Sequence, residues 1–230
     1  MQNVSSHLYK MRHSVIIFTI LLLQACHDNI SVDKHDSIPK NSRNVTIKLI
    51  DSLGYVTYSL PNRYDTFFHW TNRSDCGKPC EKEQYRSQPN SLPIIKESGF
   101  IFPDRQKDSV EQFTIIHSGW FPFRDNTDTN DITKLHLHQK QYIVSSPETY
   151  RIKFDTIENI NGRNFSIIIT DLYDNATGIF SKKVIGTTTI KSNGIEFKYE
   201  LLSKRNDSTS KNFIENSYKL LRTIKLNNGI

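Results

Sequence analysis

The chain is 230 residues long and carries 30 Lys and Arg against 24 Asp and Glu, a formal charge of +6. That length suits one domain or two small ones, and so mild an excess of base excludes the concentrated basic stripe of a nucleic-acid binder. With 9 Gly and 3 Cys, the sequence holds no phosphate-cradling glycine loop, no dinucleotide fingerprint and no second cysteine pair for a zinc cage, so no cofactor is expected.

The first element is Lys10-Met11-Arg12, followed by an apolar run from Val15 to Leu23 that ends in Gln24-Ala25-Cys26. A basic start, an apolar stretch of about 7 to 15 residues and a small residue at the cut make a secretory signal. A spanning helix would need about 20 apolar residues. Leu23-Gln24-Ala25-Cys26 resembles the lipobox of bacterial lipoproteins, with Gln24 its unusual occupant. The resemblance implies that residues 1–25 leave and that Cys26 is diacylated, with palmitate-type chains, as the first mature residue. The protein would then be anchored to a membrane of the cell envelope without crossing it, on the periplasmic face or at the cell surface. The alternative is an ordinary cleaved signal with Cys26 as a free thiol. Only Lys10 and Arg12 are charged in the signal, so its loss takes the formal charge from +6 to +4.

Residues 26–43 are polar and lack both helical and strand periods, which predicts a flexible tether that buries too little apolar surface to order itself. From Asn44 to Ile230 the chain reads as a single α+β domain, mainly antiparallel sheet. Val45-Thr46-Ile47-Lys48-Leu49 alternates, Asp51-Ser52-Leu53-Gly54 turns, and Tyr55 to Leu60 returns, a first hairpin. Tyr64 to Trp70 and Gln112 to His117 are further strand candidates.

Between them stand Cys76 and Cys80, with Gly77 and Pro79 in the interval. In an exported protein a leftover pair reads as a disulfide, and a turn there brings the Cα atoms within the roughly 4.4 to 6.8 Å a bridge needs. The alternative is metal handling: Cys-x-x-x-Cys with a distant histidine resembles the site of Sco-type copper chaperones, and soft thiolates suit Cu(I). A redox pair would more typically be Cys-x-x-Cys at a helix start.

Trp120-Phe121-Pro122-Phe123-Arg124 follows. Buried, it is ordinary core; exposed, Trp120, Phe121, Phe123 and Arg124 are the residue types that anchor a protein partner. Asp125 to Asp131 has a faint look of a calcium loop but lacks the Gly and Glu of an EF-hand. His136-Leu137-His138, placed on a strand, would turn both imidazoles to one face, where His117, Asp128 or Asp131 could complete a metal site. The competing reading is a solvent-facing pair on an edge strand with Leu137 turned inward. Gly-x-Ser-x-Gly is absent, and an envelope hydrolase would require His69, His117 and an acid to meet in a pocket.

In the last third, Tyr150 to Ile157 and Phe165 to Ile169 flank Asn161-Gly162, while Val184 to Ile190 and Ile195 to Leu201 flank Asn193-Gly194. Both dipeptides tolerate the positive φ of a tight hairpin turn, so a meander is predicted. Behind the capping residues Asn206-Asp207-Ser208, the apolar residues Phe213, Ile214, Leu220, Leu221 and Ile224, with Ser217 among them, recur at helical spacing. This amphipathic helix is expected to pack on one face of the sheet. Two strands followed by Phe213-Ile214-x-x-Ser217-x-x-Leu220-Leu221-x-x-Ile224 resemble the close of PsbP-like domains, mostly assembly or accessory factors. That resemblance implies a non-catalytic binding module, with an envelope protein as partner, and carries over no site residues.

Overall fold

The computed structural model describes residues 37–94, 109–118, 132–145, 151–191 and 193–227. Its first strands, β1 (Ser42–Leu49) and β2 (Gly54–Pro61), form the expected hairpin, in register from Ser42↔Pro61 to Leu49↔Gly54. The turn takes Asp51 to φ 56° and Ser52 to φ 57°, the left-handed region that a short polar side chain tolerates better than a branched one. Alternation sends Val56, Tyr58 and Leu60 into the core.

Seven further strands make a second sheet. They are β3 (Thr66–Asn72), β4 (Lys82–Gln88), β5 (Ser109–Ser118), β6 (Ile152–Ile160), β7 (Arg163–Asp174), β8 (Ile179–Ile190) and β9 (Asn193–Ser203). Their order is β3-β4-β5-β9-β8-β7-β6 with every pairing antiparallel, so the predicted meander runs from β6 to β9. Asn161 (φ 49°) and Gly162 (φ 85°) form the first tight turn as expected. The second turn is not at Asn193-Gly194. Ile190 pairs with Asn193, so Lys191, at φ 48°, begins the turn and Asn193 opens β9, its side-chain amide donating to the Lys191 carbonyl (3.2 Å).

Two helices flank this sheet. α1 (Ile132–Ser145) contacts β6 and β7, and α2 (Ser208–Leu221) contacts β8, β9 and β2. They lie on opposite faces, because α1 reaches Thr187 while α2 reaches Gly186 and Lys182, residues of opposite parity on β8. α2 begins at the predicted cap, where the Asp207 carboxylate accepts from the Ser210 amide (2.9 Å). It buries Phe213, Ser217, Tyr218, Leu220 and Leu221. After it, β10 (Lys225–Asn227) adds to β2, giving a three-stranded sheet β1-β2-β10. The fold is α+β, mainly antiparallel, with the C-terminal helix on one face.

The main core fills the space between the two sheets and α2. Tyr58 packs against Phe113 (ring centroids 4.9 Å), Phe113 against Tyr199 (4.4 Å), and the Tyr199 hydroxyl donates to the Ser59 carbonyl (3.3 Å). The opposite face of the large sheet buries polar residues instead, among them Gln84, Arg86, Gln112, Thr114 and Glu200. Four of them answer one another, as buried polar groups ordinarily are answered: the Arg86 guanidinium lies 4.7 Å from the Trp70 ring centre and its Nε donates to Thr114 Oγ1. Gln112 Nε2 donates to Glu200 Oε2 (2.8 Å), and Lys183 and Lys198 approach the same carboxylate at Oε1 and Oε2 respectively.

Candidate functional site

His69, Glu83, Tyr85 and His117 meet on the inner face of β3, β4 and β5. Strand register causes it: His69 opposes Tyr85, and Glu83 opposes His117, so the four side chains tile adjacent positions on one face. His69 Nε2 is 2.8 Å from Glu83 Oε2, and Thr71 Oγ1 donates to both Glu83 oxygens (3.0 and 3.1 Å). The His69 and Tyr85 rings stack at 4.5 Å, and Tyr85 and His117 at 5.8 Å. The Tyr85 hydroxyl accepts from the Ile50 amide (3.0 Å), which docks the β1–β2 turn on this ladder. Burial holds the His117 imidazole below its ordinary value against the opposing charges of Asp51 and Glu83, and burial likewise raises Tyr85. Two histidines and an acid do come together here, yet His117 is only 2% exposed, shut behind the ring of Tyr85. The cluster joins strands and seats a turn.

Cys76 and Cys80 follow β3 and sit at disulfide distance, Cα–Cα 5.9 Å. Gly77, at φ 77°, makes the bend, and Lys78–Cys80 forms a single 3-10 turn. Among the described residues no group of three or more His, Cys, Asp or Glu side chains is placed to hold a metal ion.

The placement of His136 and His138 on a strand is wrong. Both lie on α1, where residues two apart point about 200° away from each other, so the two imidazoles cannot share one metal. Leu137 faces outward at 60% exposure, and His136 is buried. His136 Nδ1 is 2.9 Å from Ser166 Oγ and Nε2 is 3.2 Å from Asp155 Oδ2. Ser166 donates onward to Gln139 Oε1 (2.7 Å), and Gln139 Nε2 donates to Thr187 Oγ1 (2.7 Å). The acid, imidazole and hydroxyl are therefore wired in sequence, but the serine is 1% exposed and its proton is aimed at an amide oxygen. This network fastens α1 to β6, β7 and β8. Burial favours the protonated Asp155 carboxyl, but Lys140 and His136 outweigh it and hold the group below its ordinary value.

A concave feature with four charged residues on its walls lies elsewhere, at the C-terminal end of α2. A cleft of about 440 Å³ opens between the small sheet and the β6–β7 turn. Asn44, Thr57, Tyr58 and Ser59 form one wall, Glu158 to Asn161 another, and Lys219, Arg222, Thr223 and Lys225 a third, with Ile38 at the rim. Glu158 accepts from the Tyr218 hydroxyl (2.6 Å) and from Arg222 Nε (2.7 Å). Asn161 Nδ2 donates to the carbonyls of Arg222 and Ile224 (3.3 and 2.7 Å), which pins the β6–β7 turn to the chain leaving α2. Tyr58 is pushed to about 12 by burial and stays a neutral phenol. None of these residues was legible as a site in the sequence, since they come from five separate elements. The one local signal is Arg222 and Lys225 just beyond a predicted helix end.

Residues 1–36, which include the signal, Cys26 and most of the tether, lie outside the described residues, as do Trp120, Phe121, Phe123 and Arg124 and the loop from Asp125 to Asp131.

No protein-family model matches the chain, and no curated protein matches it either. Among solved structures, it is similar to cyanobacterial PsbP (CyanoP) from Synechocystis sp. PCC 6803. The TM-score is 0.46 at 10% identity, over 83% of this chain and 96% of that one. A second similar structure is a protein from Bacteroides thetaiotaomicron VPI-5482, with TM-score 0.36 and 10% identity, over 75% of this chain and 45% of the other.

Proposed function

We propose that this protein is a lipid-anchored binding module of the bacterial cell envelope that acts without catalysis. The observation that carries the reading is Leu23-Gln24-Ala25-Cys26 behind a basic start and a short apolar run. Acyl chains contribute about 0.8 kcal/mol per buried CH₂, so two chains on Cys26 would hold the protein stably at a bilayer. The module role draws support from how the reactive side chains are spent. His69, Glu83, Tyr85 and His117 join strands, and His136, Ser166 and Asp155 fasten a helix.

The test is acylation in a bacterium that processes lipoproteins. Metabolic labelling with palmitate should place label on the wild-type protein and move it to the membrane fraction. Cys26→Ala should take up no label and leave the membrane. Equal labelling of the two forms would sink the proposal.

A further inference from the structure

We infer that the outer edge of β3 is the interface of a symmetric dimer of this chain. Among the described residues the two sheets end in four edge strands, β1 and β10 of the small sheet and β3 and β6 of the large one. An edge offers its outward amides and carbonyls to any other strand, and proteins blunt it with charge, bulges or brevity. Three of the four are blunted in this way. β1 carries Arg43 and Lys48 with no acid. β6 carries Lys153, Asp155 and Glu158 and shifts register between Ile152 and Phe154, and β10 is three residues long. β3 has none of these devices. It reads Thr-Phe-Phe-His-Trp-Thr-Asn, without Lys, Arg, Asp, Glu or Pro, and runs in unbroken register along β4. Phe67 stands 50% exposed on the face that also bears His69 and Thr71.

This edge is complementary to itself. In an antiparallel pair the outward amides and carbonyls alternate along each strand, so they meet only where facing residues have the same parity. A two-fold axis through His69 satisfies that condition. Phe67 then faces Thr71 of the second copy, and Thr66 faces Asn72. Just beyond the strand, Asp65 faces Arg73 at both ends of the pairing. Both residues are exposed. Asp65 accepts from the Asn90 amide through Oδ1 (2.8 Å), which leaves its other oxygen open, and Arg73 makes no ion pair among the described residues. The pairing therefore places an acid against a base at each end and covers both copies of Phe67, as an isologous interface requires. A strand from an unrelated protein would use the same amides, but the match of Asp65 to Arg73 at both ends is particular to a second copy.

A strand pair of this length is small beside the roughly 1,200–2,000 Å² of a stable interface. The dimer is accordingly weak, with a dissociation constant on the order of 10 to 100 μM. It does not depend on the anchoring proposed above.

The experiment is sedimentation equilibrium of the full-length protein in density-matched detergent. A monomer–dimer equilibrium in that range is expected. Arg73→Asp sets two carboxylates against each other at each end and should weaken it about tenfold. Adding Asp65→Arg exchanges the charges and should restore most of the loss. Phe67→Lys blunts the edge and should abolish the dimer, whereas Lys48→Asp on β1 should leave it unchanged. A monomer at every concentration up to about 500 μM overturns the inference, as does a dimer that Arg73→Asp leaves intact or that the charge exchange fails to rescue. Cys26→Ala should dimerise like the wild type; loss of the dimer in that variant would trace association to acyl chains and also overturn it.

Discussion

Gly186 on β8 lies directly beneath Leu221 of α2: a β-carbon placed on Gly186 would stand 2.8 Å from Leu221 Cδ1 and 2.9 Å from Cδ2. Leu221 is fully buried, so it has little room to give. The close approach lets the helix settle onto the sheet. Gly186→Ala should therefore destabilise the fold by about 1–3 kcal/mol through overpacking, read as a lower urea midpoint. Leu221→Ala is itself costly because it empties a buried site, but combined with Gly186→Ala the total should fall short of the sum of the two separate costs, because the clash partner is gone. Independent, additive costs would contradict this contact.

The β6–β7 turn makes a second prediction. Asn161 tolerates φ 49° and also donates to Ile224 (2.7 Å). Asn161→Ala loses both and should cost about 1–3 kcal/mol, whereas Asn161→Gly keeps the turn and should cost less. Equal losses in chemical denaturation would show that the backbone conformation contributes nothing.

Acid should weaken the protein in two separate windows. His117 has its native value lowered by burial, so the unfolded chain takes up a proton near its usual pKa of about 6.5 while the native one does not. Stability is full above that pH and falls as pH drops toward the native value. Asp155, also lowered, contributes stability above about 3.9 that is lost as pH falls further. His117→Gln should flatten the slope of unfolding free energy between about pH 7 and 5 and leave the lower window in place. An unchanged upper slope would refute the assignment.

Cys76 and Cys80 close a loop of five residues, for which chain entropy gives about 2 kcal/mol at most. Protein purified without reductant should show no free thiol at either position and no stoichiometric copper or zinc. Reduction should lower stability by no more than that amount. Two free thiols with bound metal would reinstate the metal-handling reading.

These outcomes bear on regions that differ in how well sequence patterning described them. The β1–β2 hairpin and the meander were legible because each buries one face and so alternates, and α2 because its apolar stripe follows a cap. β4 was not legible: it reads Lys-Glu-Gln-Tyr-Arg-Ser-Gln, yet its last five residues are buried. Its own residues on both faces are polar but for Tyr85, so no hydrophobic period marks a strand whose outward side chains lie against the Phe68 and Trp70 rings of β3 and Thr114 of β5. α1 misled in the other direction, because Leu135 and Leu137 mimic strand alternation while only Leu135 is buried. The β8–β9 turn fell two residues early, an even slip that leaves every inward residue inward. The cleft needed the tertiary fold, since Tyr58, Glu158 and Arg222 meet only when the small sheet closes over α2.

The way the chain enters the domain has a mechanical side. β1 is an edge strand, and at its start Ser42 Oγ donates to the Pro39 carbonyl, while the Asn62 amide donates to the Asn41 carbonyl (both 2.8 Å). Any pull arriving through the residues before Ser42 meets this latch first and the β1–β2 ladder next. Directed along the strand, such a load is shared by all the rungs at once; directed sideways, it peels them singly from Ser42↔Pro61. The domain would resist drag in one direction and yield in the other, and, were it anchored as proposed, its heading relative to the anchoring surface would decide which.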